Sequence, residues 1–221
     1  MIPEKAMRII ELLEGLYGRP KTEQIDPLDL LVVTILSQNT TDVNSLRAFG
    51  RLKEAYPNYE ALLSAKNSDI CDKIRVGGLG EIKASRIKEA LLKIRADTGS
   101  MDLNFLRGKD KNIVSDYLLS LPGVGPKTAS VVMLFSFQMP FMPVDTHVYR
   151  VSRRLGLIPD KASLKRAQEI LEIITPPEKY LSLHINLIRH GRHICRARNP
   201  LHGQCILRYN CDYYLEATRL K

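Results

Sequence analysis

Apolar residues recur at three- and four-residue spacing along most of the chain. Over 3–17 they place Ile9, Leu12, Leu13 and Leu16 on one stripe, and Gly18-Arg19-Pro20 ends the run. Residues 27–36, PLDLLVVTIL, are nearly all apolar, with Pro27 suited to a first turn after Asp26. A helix apolar all round belongs in the middle of a core. Helical spacing continues over 43–55 (Leu46, Phe49, Leu52), 59–63, 68–74 and 82–95, the last with Lys83, Arg86, Lys88 and Lys93 as an outward polar face. Gly77-Gly78-Leu79-Gly80 interrupts it, too rich in glycine to be helical. Further helices are predicted over 111–120, 127–137, 146–155, 163–174 and 179–190. No stretch alternates apolar and polar residues long enough for a strand, so the pattern predicts an all-α protein.

The composition of the 221 residues, 44% hydrophobic and 26% charged, suits a globular chain with buried cores. The net charge of +9 changes the picture, because a strongly basic surface favours a polyanionic partner. No apolar run is long enough to span a bilayer, and residues 1–11 scatter charge through a helical pattern with no signal-peptide core. A cytoplasmic protein without membrane contact is expected. Three of four cysteines crowd between Cys195 and Cys211, which favours a metal or cluster site over a disulfide framework. Cys71 stands alone in a helical context and is expected as a buried thiol.

The chemistry concentrates between Leu121 and Arg153. Pro122-Gly123-Val124-Gly125 makes a tight turn, and Pro126 and Lys127 follow it into an apolar helical run. Glycine supplies a sharp hairpin's positive φ, and proline fits a first helical turn. Helix-start N–H groups that face outward form a seat for phosphate. Lys127 is an unusual choice there, since the positive end of a helix repels a cation. Asp145 follows Pro143-Val144 and precedes a second helical pattern (Val148, Val151, Leu155). Taken alone, Asp145 reads as a helix cap, and Lys127 as a solvated lysine near phosphate. Ser37-Gln38-Asn39-Thr40-Thr41-Asp42 likewise reads as a helix-to-helix connection capped by Asn39 or Thr41. Leu79 reads as a turn residue tucked onto the core.

LPGVGPKTASVV followed by VDTHVYRVSRR resembles the helix-hairpin-helix DNA glycosylase superfamily, most closely its endonuclease III branch. Hairpin, lysine, aspartate and spacing recur together, and the likeness extends from SQNTTD to the cysteine-bearing tail. The resemblance implies a bifunctional DNA glycosylase and AP lyase of base excision repair. Its partner is double-stranded DNA with a damaged base or an abasic site, bound by a monomer, and its substrate an oxidised pyrimidine. Lys127 would attack C1′, displace the base and form a Schiff base, after which β-elimination nicks the strand. Asp145 would stabilise positive charge on the sugar. The target base must be rotated out of the duplex. Gln38 or Asn39 would fill the gap it leaves, and Leu79 would wedge into the base stack. Backbone N–H groups of Gly123 and Gly125 would hold phosphates. His147, Arg150 and Arg153, on the helix after Asp145, are DNA-binding candidates, with a structural histidine and solvated arginines as the alternative.

The family's tail holds a four-iron, four-sulfur cluster on four cysteines spaced C-x6-C-x2-C-x5-C. This chain keeps the spacing with Cys195, His202, Cys205 and Cys211, so His202 stands at the second ligand position. A [4Fe-4S] cluster with one imidazole ligand, a Cys3His zinc site and a loop without metal remain open. The family architecture implies one helical domain over 21–137, with its hairpin at about 111–137. Residues 1–20 would pack with 138–221 as a second domain, the hairpin and Asp145 facing a cleft. A mismatch-specific thymine or uracil glycosylase on this scaffold, and a non-catalytic helix-hairpin-helix module, are the alternatives.

Overall fold

The computed structural model describes residues 2–21 and 25–219. Among them the secondary structure is helical, without strands, as the apolar spacing predicts. The chain divides into two compact units, one of Gln24–Met139 and one of Met1–Glu23 with Pro140–Lys221. No helix is long and apolar enough to cross a membrane among the described residues.

The Gln24–Met139 unit is built around α2 (Pro27–Leu36). Asp26 caps it, accepting from the N–H groups of Leu28 and Asp29 at 3.0 and 2.9 Å. Leu28, Leu31, Val32, Ile35 and Leu36 of α2 are buried. They pack against α3 (Asp42–Ala55), α6 (Gly80–Thr98) and α8 (Pro126–Phe135). The short helices α4 (Tyr59–Ser64) and α5 (Asn67–Ile74) support α6, and α7 (Lys111–Ser120) lies on α8. On α3 the expected core residue Leu46 is exposed, because the helix buries the stripe of Ser45, Ala48 and Leu52 instead. Cys71 is half-buried rather than fully buried. A β-carbon at Gly80 would stand 2.7 Å from its sulfur, so this approach requires glycine.

In the other unit α11 (Tyr180–His193) packs on α1 (Ile2–Tyr17) and α9 (Thr146–Arg154). The helices α10 (Leu164–Ile174) and α12 (Asp212–Arg219) complete it, and sequence periodicity does not single out α12. On α1 the buried stripe is Ala6, Ile9, Ile10 and Leu13; the expected Leu16 is 49% exposed, one turn past the core. Gly18, at φ 80°, ends α1 by donating its N–H to the Glu14 carbonyl at 2.9 Å. The buried carboxylate of Glu14 is held by Lys179 at 3.0 Å and Arg19 at 2.7 Å.

Candidate DNA-binding loops and active-site residues

The hairpin between α7 and α8 is set by two buried anchors, Leu121 and Val124, joined by a Val124 N–H to Leu121 carbonyl bond of 3.1 Å. Gly123 between them has φ 77°. A β-carbon there would meet Cβ, Cγ and Cδ of Arg86, each at 2.9 Å, so both backbone and neighbour demand glycine. Gly125 is the N-cap of α8 in extended conformation, and it brings no side chain to the helix start. Pro126 occupies the first turn, and Lys127 follows it as an exposed side chain. A lysine thus stands beside unblocked first-turn amides, an anion seat by geometry and dipole.

Gln38 reaches the hairpin from the end of α2. Its Nε2 donates to the Gly123 carbonyl at 3.1 Å, while its Oε1 accepts from Arg86 Nη1 at 2.9 Å. Asn39, by contrast, is exposed with φ 55°, and Leu79 is 50% exposed with φ 52°. Few side chains other than glycine adopt this left-handed region, and a branched Leu rarely does. Among the described residues of this unit Asn39, Leu79 and Gln138 are the three non-glycine residues with positive φ, and all three are exposed. The cap of α3 is Thr41, which accepts from the Asn44 N–H at 3.3 Å. Asp42 is the first residue of that helix.

Lys83 does not belong to the outward face of α6. It is 1% exposed, and Nζ donates to the carbonyls of Leu36 at 2.7 Å and Gly77 at 2.8 Å. The signal was present: Lys83 lies on the stripe of Ile87, Ala90 and Ile94, which α6 buries. Burial pushes its pKa down.

Asp145 sits at the end of a buried segment, Met142 to Val144, fixed on both sides. The Met142 N–H donates to Glu172 Oε1 at 2.9 Å, and His184 Nδ1 lies 2.9 Å from the Pro143 carbonyl. A carbonyl only accepts, so Nδ1 carries the proton. The half-buried Asp145 caps α9, Oδ1 accepting from the N–H groups of His147 at 2.9 Å and Val148 at 2.7 Å. Both cap bonds use one oxygen, so capping and a second role for the carboxylate are compatible. Arg150 turns into its own unit, donating from Nη2 to the Gly191 carbonyl at 2.9 Å and the Cys195 carbonyl at 3.2 Å. The same Nη2 lies 3.1 Å from His147 Nδ1, and a β-carbon at Gly191 would stand 3.1–3.2 Å from this pair, a tight approach that glycine relieves. Arg153 is exposed, 3.9 Å from Asp160.

Cys195, His202, Cys205 and Cys211 line one small cavity of about 20 Å³, with Leu201, Arg154 and Tyr214 among its other walls. Cys195 Sγ accepts from Arg154 Nη1 at 3.4 Å. Burial pushes the thiol pKa of Cys205 up and that of Cys211 up to about 11, opposed by backbone N–H groups of Leu207 and of Tyr213 and Tyr214 that donate to the sulfurs. Such N–H···S bonds stabilise sulfur as a ligand, and the donor set of three thiols and an imidazole suits iron–sulfur or zinc. His202 stacks against Tyr213 and Tyr214, with ring centroids at 5.9 and 5.3 Å. Among the described residues no three His, Cys, Asp or Glu side chains converge as a metal-chelating group. Arg154, which with Arg150 and Arg153 reads from sequence as a solvated face, is instead buried and gathers the loop by donating to the carbonyls of Arg196 at 2.7 Å and Ala197 at 3.0 Å. Sequence reasoning overlooked His190, whose Nε2 lies 3.4 Å from Cys205 Sγ and which burial pushes down to about 4.

An all-helical chain with a glycine hairpin, a lysine at the following helix start and a capped aspartate defines a class of DNA-repair protein. The chain belongs to the HhH-GPD superfamily of base excision DNA repair proteins, whose family description matches residues 32–177. It is 34% identical over 214 residues to endonuclease III of Thermotoga maritima, covering 97% of this chain and 93% of that one. A longer DNA glycosylase homologue of Arabidopsis thaliana is 39% identical over 175 residues, 79% of this chain; the chain spans only 59% of that relative's length. Among solved structures, a trapped endonuclease III–DNA covalent intermediate superimposes with a TM-score of 0.85 at 28% identity, covering 98% of this chain and 99% of that one.

Proposed function

We propose that this chain excises oxidised pyrimidines from duplex DNA and nicks the resulting abasic site, with Lys127 as nucleophile and Asp145 as the carboxylate beside the sugar. The DNA glycosylase and AP lyase activity rests on the family and its endonuclease III relatives. The observation that carries the residue assignment is Lys127 itself, an exposed lysine directly after a glycine hairpin and beside uncapped helix amides. The structural relative was trapped as a covalent intermediate with DNA, and a covalent step needs such an amine. The free amine of Lys127 attacks C1′. The C1′–N bond breaks, and the base leaves with the electron pair and takes up a proton. Positive charge that develops on the sugar is stabilised by Asp145. The amine nitrogen gives up a proton, the C1′–O4′ bond breaks with O4′ taking up a proton, and the opened sugar is left as a protonated Schiff base between Lys127 and C1′. Loss of the C2′ proton expels the 3′ phosphate as the C3′–O bond breaks, which nicks the strand. First-turn amides of α8 and the Gly123–Gly125 backbone hold the flanking phosphates. Asn39 fills the gap and Leu79 unstacks the neighbouring pair.

Cys195, His202, Cys205 and Cys211 are the residues that would hold a [4Fe-4S] cluster, with zinc served by the same donors. When bound, such a group supplies a cross-link that ties the loop of 195–211 to the fold. Iron, sulfide and zinc analysis with visible absorption of the purified protein separates the two. Duplexes bearing one oxidised pyrimidine, one uracil mismatch or one thymine mismatch test the substrate. Nicking of the oxidised pyrimidine alone is expected. Excision confined to the mismatches overturns the substrate assignment.

A further inference from the structure

Two loops of the Gln24–Met139 unit carry the residues assigned above to the gap and the wedge, and a single buried side chain holds both. Lys83 Nζ donates to Leu36, the last residue of α2 and three positions before Asn39. It also donates to Gly77, two positions before Leu79. Leu36 closes α2 three residues before the left-handed Asn39, and Gly77 directly precedes two consecutive positive-φ residues, Gly78 at 69° and Leu79 at 52°. A buried cation is costly, and a packed apolar side chain of similar volume would commonly serve stability as well or better. An ammonium at 1% exposure, with two carbonyls bonded at 2.7 and 2.8 Å, therefore calls for a reason beyond packing. The negative end of the α2 dipole, where Leu36 lies, helps to offset that cost.

We propose that Lys83 is a positioning residue, a single latch that fixes the Asn39 loop and the Leu79 loop to each other so that both enter the duplex in one step. Lys83 touches neither DNA nor the reacting atoms. It acts by fixing where the two strained turns begin, and an ångström-scale error in either would misplace the residue at its tip. This inference rests on the assignment of Asn39 and Leu79 to base extrusion.

The test compares wild type with Lys83→Met on DNA carrying an abasic site, as duplex and as single strand. A single strand has no opposite base to displace and no stack to wedge. Borohydride trapping on the duplex is expected to fall by about tenfold or more, given that a misplacement of 1 Å can cost a hundredfold. Trapping on the single strand is expected to change less than about twofold. With 2-aminopurine opposite the abasic site, the fluorescence rise that wild type produces is expected to be lost in Lys83→Met. Equal losses on duplex and single strand, or no loss on either, overturn the latch. A wild type that produces no fluorescence rise overturns the extrusion assignment instead, which keeps the two failures apart. If Lys83→Met does not fold, native-state hydrogen exchange of the wild type decides. A shared latch makes peptides over 37–42 and 77–80 open with one free energy, and separate opening energies contradict it.

Discussion

Gly123→Ala and Gly125→Ala, two positions apart in one hairpin, are expected to fail in different ways. At Gly123 the backbone has φ 77°, where an alanine costs roughly 1–2 kcal/mol. The new methyl also meets Cβ, Cγ and Cδ of Arg86 at 2.9 Å. These are the near atoms of the arginine, and its far end is committed to Gln38 at 2.9 Å, so the side chain does not simply swing aside. Overpacking of this kind costs roughly 1–3 kcal/mol. Together the two effects lower stability by about 2–5 kcal/mol, a fall in Tm of roughly 4–20 °C for a chain of this size. Displacement of Arg86 also releases Gln38 from the Gly123 carbonyl, so the hairpin loses its tie to the α2 end. At Gly125 the backbone is extended, and a β-carbon meets nothing within 4 Å. Stability there changes by no more than about 1 kcal/mol, while the methyl narrows the approach of a phosphate to the α8 amides. Thermal unfolding by circular dichroism measures the first effect, and fluorescence anisotropy with abasic duplex the second. A Gly123→Ala protein as stable as wild type would refute the close-approach reasoning, and a Gly125→Ala protein with unchanged DNA affinity would refute the phosphate seat.

Asp145→Asn separates capping from chemistry. Asparagine caps as well as aspartate, so Tm should hold within about 2 °C while base excision falls by roughly 100-fold or more. Equal turnover would leave Asp145 as a cap alone. Glu14 gives a pH signature. Burial pushes its carboxyl pKa up, but hydrogen bonds from Lys179, Ser182 and Arg19 outweigh that and hold it below its ordinary value of 4.5. A depressed carboxyl contributes stability that is full above the unfolded value and lost as pH falls through the folded one. Glu14→Gln should therefore cost about 1–3 kcal/mol at pH 7 and progressively less below pH 4. Urea unfolding of both proteins across that range measures it, and a cost that does not shrink in acid would contradict the assignment.

Most of the helices are legible in the sequence, since apolar spacing at 3.6 residues survives every later detail. The α2 start at Asp26-Pro27 and the α1 stop at Gly18 follow from local chemistry, and both are seen. What periodicity leaves open is the phase of a helix against its neighbours. On α3, Leu46 outranks Ser45 and Ala48 in hydrophobicity, yet the close approach of α2 and α5 selects the smaller pair. Lys83 is drawn inward by two backbone carbonyls that come from distant parts of the sequence, and no local pattern records them. Arg150 and Arg154 resemble a solvated face on a helical wheel, but their acceptors lie on α11 and in the loop after it. The hairpin and the cap at Asp145 are written in consecutive residues and could be read there. The role of each in catalysis could not, because chemistry depends on where DNA is held.

The central claim is that Lys127 forms a covalent Schiff base with DNA. Its most direct test is borohydride trapping on a labelled duplex with one abasic site, wild type beside Lys127→Ala. Lys127 is exposed in the first turn of α8, so the substitution should leave the fold intact, as circular dichroism can verify. A covalent adduct with wild type that vanishes with Lys127→Ala is the predicted result. An adduct of equal yield from Lys127→Ala, or none from folded wild-type protein that still binds abasic DNA, would contradict it.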